Sequence, residues 1–96
     1  MMKSSGQITR RYASALFELA SESGKLAQIR EEAAGLNSAL SADTVTFFAS
    51  PRYNEQAKAE VLDVLQKQVK LDETLSRFLR VVLENGHIAL IKQILT

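Results

Sequence analysis

His87, the adjacent acidic pairs Glu31-Glu32 and Asp72-Glu73, and the run Arg10-Arg11-Tyr12 are the side chains here whose types invite a chemical reading. One imidazole, with no cysteine and no carboxylate cluster at ligand spacing, does not build a zinc site. Following Asn85-Gly86 at the start of a helix, it reads as a surface residue. Sequence neighbours on a helix diverge by about 100°, so neither acidic pair can work as a general acid and base. Glu31-Glu32 reads as solvated surface and Asp72-Glu73 as charge at a helix start. Arg10-Arg11 before Tyr12 is a weak signal for phosphate, because Glu18 and Glu22 share the helical stripe of Arg11. The glycines are isolated, so no phosphate-cradling loop is formed. These side chains make no catalytic constellation and imply no cofactor and no metal. The expectation is a protein that is not an enzyme.

The chain has 96 residues, 46% of them hydrophobic and 24% charged, with a formal net charge of +1 and no cysteine. That size and composition fit one globular domain, spanning 1–96, able to bury a core. The near-neutral balance, with both signs interspersed, argues against a nucleic-acid partner. Without cysteine there is neither disulfide nor thiolate chemistry. No apolar run approaches the roughly 20 residues that cross a bilayer. The start MMKSSGQITRR lacks the apolar segment of a secretory signal. It has the Arg and Ser of a transit peptide and no acid before Glu18, but the helical pattern begins too early for one. A membrane would be reached only through a partner.

The pattern predicts helix throughout. Ser4 with Gln7 has capping-box spacing, and helix 1 runs from there to about Ser23, where Gly24 can close it in the left-handed conformation. Helix 2, about Lys25 to Leu40, carries Leu26, Ile29, Ala33, Leu36 and Leu40 in a stripe of roughly 80°. Gly35 within it costs about 1 kcal/mol relative to alanine and suggests close packing or a bend. Asp43 is placed to cap a short helix 3 with Val45, Phe47 and Phe48, ended before Pro51. Asn54 caps helix 4, about Glu55 to Val69, with a core face of Ala57, Val61, Val64, Leu65 and Leu62. Asp72-Glu73 open helix 5, and Asn85-Gly86 close it. Helix 6 starts near His87 and carries Ile88, Ile91, Ile94 and Leu95; it reaches Thr96 without a terminator and looks cut, as if the domain were excised from something longer.

Two helices are too apolar for one contact. With Ile8 at zero, Leu19, Tyr12 and Ala15 lie within roughly 40° on a helix, and Leu16, Ala20, Ala13 and Phe17 continue to about 180°. An ordinary amphipathic helix needs little more than about 100°. On helix 5, Val81, Phe78, Val82, Leu75, Leu79 and Leu83 sweep about 200°, with Thr74 and Asn85 at the edge beside Val81. Either these two are the central helices of a small bundle, or they are neighbours that share a second contact. The residues alone leave both open.

The segments RRYASALFELA, FFASPRYNEQAKAEVL and LSRFLRVVLENGHIALI together resemble the N-terminal domain of the ATP synthase delta subunit, the family of the oligomycin sensitivity conferring protein. The R-Y-A-x-A-L-F and E-N-G-x-apolar motifs carry the resemblance, and it covers nearly the whole chain. His87 departs from it, since the family commonly has arginine there. The resemblance implies an all-α six-helix bundle that is a non-catalytic part of the peripheral stalk, holding the catalytic head of a rotary ATP synthase against rotation. It implies a groove between helices 1 and 5 that takes the N-terminal helix of an alpha subunit. It further implies b-type stalk subunits as partners of a C-terminal region absent from these residues. The implied location is peripheral, on the cytoplasmic face of a bacterial inner membrane or on the matrix side of an organellar one.

On that basis Ile8, Tyr12, Ala15 and Leu19 are expected to form one wall of the groove. Phe78, Val81 and Val82 are expected to form the other, with Asn85 at its edge. Leu16, Phe17, Ala13 and Ala20 are expected to turn into the core. The alternatives are a generic helical adaptor that self-associates through the same patch and, further off, a helical nucleic-acid-binding module.

Overall fold

Local sequence signals start and stop most of the helices, and tertiary packing decides which face of each is buried. The computed structural model describes residues 3–95 of the chain. Its α-helices are α1 (Lys3–Glu22), α2 (Leu26–Ala39), α3 (Ala42–Ala49), α4 (Glu55–Val69), α5 (Glu73–Glu84) and the single turn α6 (Ile91–Ile94), with a 3-10 turn at Ile88–Leu90. No strand occurs among the described residues. The expected capping box rests on the Ser4 side chain, which lies outside the described residues, as does the expected end at Thr96.

Both long glycine-closed ends take the same form. Gly24 at φ 71° and Gly86 at φ 79° supply the left-handed residue. The amide of Lys25 then donates to the Ala20 carbonyl at 3.0 Å, and that of His87 to the Val82 carbonyl at 3.0 Å. Gly24 donates to Ser21 and Gly86 to Leu83, which completes a Schellman motif at each end. At the N-termini, Asn54 accepts from the Ala57 amide at 2.8 Å, and Asp72 accepts from the Thr74 amide at 2.9 Å. The cap of α3 corrects the sequence reading. Ser41, not Asp43, accepts from the Thr44 amide at 3.1 Å, and Asp43 sits in the first turn, where its charge faces the positive helix end.

Helices α1, α2, α4 and α5 form a closed ring of neighbours in the order α1–α2–α4–α5–α1, and α3, the 3-10 turn and α6 cover one end of it. The ring interior is the core: Leu16 and Ala20 from α1, Ile29, Ala33 and Leu36 from α2, Leu62 and Leu65 from α4, and Leu75, Leu79 and Val82 from α5. Phe48 and Ile91 seal the covered end, at 1% and 0% exposure. On α4 the buried stripe is rotated from the expected one. Leu62 is fully buried while Val64 is 55% exposed, because α4 must face both α2 and α5 and its Val64 side faces neither.

Two further expectations fail for related reasons. Phe17 is 53% exposed instead of buried, and Ala13 is only partly buried. The ring buries α1 at Leu16 and Ala20 and half-buries Tyr12, so Phe17 lies beyond the contact, along a shallow trough with Leu26, Arg30, Ile94 and Leu95. The expected helix 6 divides in two. Once the Gly86 closure has turned the chain, a tight Leu90-to-His87 bond of 2.9 Å forms. Ile88 and Ile91, three residues apart across the 3-10 turn, and Ile94, three further on in α6, are all buried.

Polar ties fix the start of α5 against α1 and α2. Lys25 pairs with Asp72 at 3.1 Å, and Glu32 accepts the Asp72 amide at 2.7 Å while receiving Gln28 at 2.9 Å. Glu32 is therefore an added cap for α5 instead of the free surface charge the sequence suggested. The Thr74 amide, and next the Lys25 ammonium, hold the Asp72 carboxyl below its ordinary value of 3.8. Such a group stabilises the fold above its unfolded value and loses that contribution as pH falls through the lower folded value.

Two outcomes follow from this geometry. Asp72→Asn keeps the cap oxygen but not the charge, so its stability should fall less steeply than the parent's in urea titrations run from pH values above 3.8 downward. A Cβ added at Gly35 would meet only Val69 Cγ1, at an ordinary 3.7 Å, so the glycine answers no packing demand. Gly35→Ala should stabilise the protein by about 0.5–1 kcal/mol, read as a rise of a few degrees in Tm.

Candidate functional site

α1 and α5 run antiparallel. Lys25, just past the end of α1, reaches Asp72 at the start of α5, while Tyr12 at the middle of α1 meets Asn85 and His87 beyond the end of α5. Between these ties the helices part on their outer side and leave an apolar groove of about 440 Å³, lined by Tyr12, Ala15, Leu19, Thr74, Arg77, Phe78 and Val81. A second stretch of about 320 Å³, lined by Ile8, Arg11, Tyr12, Ala15 and His87, extends it past Tyr12. Tyr12 and Ala15 belong to both stretches, so they form one channel. From Ile8 to Leu19 it follows about three helical turns at 1.5 Å per residue.

Leu19 and Val81 stand on opposite walls at 43% and 49% exposure. Ala15 between them is exposed and small. Phe78 is only 6% exposed and meets the Tyr12 ring edge-on, with centroids 6.0 Å apart and planes at 82°. It is thus the floor of the groove and not a wall. Ile8 is partly buried in the extension, and Asn85 is exposed at the rim.

Val82 departs from the expected wall: it is fully buried and does not line the groove. The reason lies in the neighbours of α5, which packs against α4, α1 and the 3-10 turn. Those three contacts consume the arc from Leu75 through Leu83, and only the edge at Val81 is left over.

The residues missed by sequence reasoning are Thr74, Arg77, Arg11 and His87. Thr74 flanks Val81 on the helical wheel and was within reach of that signal. The two arginines read as solvated, which they are, but their stems close the groove's rims. His87 is not a free surface residue. Its Nδ1 lies 2.9 Å from Tyr12 Oη, and Asn85 Nδ2 donates to the same oxygen at 3.1 Å. With one donor already on Oη, the arrangement that uses every atom has Tyr12 O–H donating to Nδ1, and the ring hydrogen on Nε2. The rings meet at 5.5 Å and 61°. Nothing in a sequence signals a contact between residues 75 positions apart.

The groove holds no nucleophile–base pair, and no three His, Cys, Asp or Glu side chains come together among the described residues. No helix among them is long and apolar enough to cross a membrane. What this surface can do is bury another apolar element laid along it. Tyr12→Phe should cost about 0.5–1.5 kcal/mol in urea unfolding, with the ring contact to Phe78 kept.

Against known proteins, the family model for the ATP synthase delta (OSCP) subunit matches residues 8–96. The ATP synthase subunit delta of Geotalea uraniireducens is 31% identical over 93 residues, covering 95% of this chain and 52% of the relative. That of Citrifermentans bemidjiense is 34% identical over 93 residues, with the same 95% and 52% coverage. That of Geobacter metallireducens is 35% identical over 92 residues, covering 94% and 51%. The chain thus spans about half the length of the curated relatives it matches. No solved structure matches it significantly.

Proposed function

The chain belongs to the ATP synthase delta (OSCP) subunit family, and from that premise we propose that it is a non-catalytic stator element that grips an alpha-subunit N-terminal helix in the groove between α1 and α5. The observation that carries this reading is the groove itself, an apolar channel about three turns long between Leu19 and Val81, floored by Phe78 and Tyr12. An amphipathic helix laid into such a channel buries anchors at i, i+3, i+4 and i+7. Ala15 lets its backbone approach closely, while Tyr12 offers a large ring with a polar tip.

A link that resists rotation gains more from a buried apolar seam than from screened surface charges. Apolar burial contributes roughly 25 cal/mol per Å² before the costs of association, and it is not screened by salt as an exposed ion pair, worth about 0–1 kcal/mol, is. In this reading the chain corresponds to the N-terminal part of its relatives. The b-type stalk subunits are held by the family's C-terminal part. Membrane attachment is peripheral and comes through the assembled complex, on the cytoplasmic face of a bacterial inner membrane.

Calorimetric titration with a peptide from the N-terminus of the cognate alpha subunit tests the assignment. The parent protein should bind, and Ala15→Asp, at an exposed position, should abolish binding with its helical circular dichroism intact. Undiminished affinity in that variant removes the groove from the reading.

A further inference from the structure

The rims of the groove carry charge in a pattern that neither helix shows alone. On α1, Arg11 is followed seven residues later by Glu18, and on α5, Arg77 is followed seven residues later by Glu84. Seven residues return to nearly the same face, about two turns along, so each wall presents an arginine and then a glutamate. All four side chains are exposed. Because the walls are antiparallel, the two arginines that line the groove stand on one diagonal, and the two glutamates, which share the arginines' helical faces and stand outside the lining, flank the other. Arg11 lines the end marked by Ile8 and His87, and Arg77 the end marked by Leu19 and Thr74. No carboxylate lines either stretch. Arg11 has no ion-pair partner among the described residues, and the Arg77–Glu73 pair, at 78% and 73% exposure, is open enough to water to accept a second carboxylate.

We propose that the groove selects an amphipathic helix with acidic residues on diagonally opposite flanks of its apolar stripe, about two turns apart, and basic residues on the other diagonal. This rests on the helix-in-groove reading above and adds to it the chemistry of the occupant's polar flanks. A diagonal pattern maps onto itself when the occupant is turned end for end. Charge therefore selects the hand of the pattern and not the direction of the chain. A helix with the opposite diagonal cannot be rescued by reversing it. Complementary flanks suppress wrong partners and speed encounter more than they add affinity.

The test uses three designed peptides of about five turns with one shared Leu/Ile stripe. The first carries Glu and Lys on the matching diagonals, the second has Glu and Lys exchanged, and the third has Gln at all four positions. The first two have the same composition and net charge. At low salt the matching peptide should bind about five-fold or more tighter than the exchanged one, four exposed pairs each contributing a modest amount. The ratio should shrink toward one in high salt. Arg11→Glu combined with Glu18→Arg, which reverses one wall without changing net charge, should bring the two affinities together. Equal binding of both charged peptides at low salt, with the Gln peptide also bound, overturns the charge inference and leaves the groove standing. If none of the three binds, the groove reading falls and this inference with it.

Discussion

The groove depends on α1 and α5 being held antiparallel and slightly apart, and that spacing is set by polar ties toward either end of α5. At one end Lys25 in the α1–α2 connection and Glu32 on α2 tie the start of α5 through Asp72. At the other, Tyr12, Asn85 and His87 tie the far end of α5 back to α1. Neither tie is worth much in stability, since exposed pairs and part-buried hydrogen bonds contribute on the order of 1 kcal/mol. The stability comes from the ring interior, where a fully buried leucine is worth roughly 1.5–3 kcal/mol and Leu36, Leu62, Leu75 and Leu79 are each 0% exposed. Apolar contacts are non-directional, so they would let the helices slide. The polar ends give the pair its register.

The wide apolar arcs of α1 and α5 are used unequally. On α1 the inward contact at Leu16 and Ala20 occupies the middle of the arc and leaves an exposed flank on either side: Ala15 and Leu19 toward the groove, Ala13 and Phe17 toward the trough beside α2 and α6. On α5 three neighbours take almost the whole arc, and Val81 alone remains. A helical wheel reports how much of a helix is apolar, but the number of neighbours decides how much is covered. That is why the excess on both helices was legible in the sequence, whereas the allotment of Phe17 to the surface and Val82 to the core was not.

The same division separates the other successes and failures. Asn54, Asp72, Gly24 and Gly86 act within a few residues of themselves, and their identity is enough to place four helix ends. Ser41 and Asp43 compete for one cap two residues apart, and the choice of Ser41 is settled by a 3.1 Å bond that residue type alone does not specify. The α4 stripe turned toward Leu62 because two helices flank it, and the His87 and Glu32 contacts join positions 75 and 40 residues apart. The four-residue motif around Asn85-Gly86 gave a closed helix end. The partner of His87, Tyr12, lies 75 positions back along the chain and left no trace in its sequence neighbourhood.

Both walls of the groove finish in Schellman turns, in which the carbonyls of Ala20 and Val82 receive amides from beyond the left-handed glycines. The last turn of a helix normally frays because its carbonyls are orphaned, and here that source of disorder is removed from α1 and α5. The consequence is thermodynamic: a wall already ordered before anything is laid against it has little conformational entropy left to lose. For a helix bound as proposed, the free energy released when apolar surface leaves water then goes to holding that helix and not to first ordering the walls.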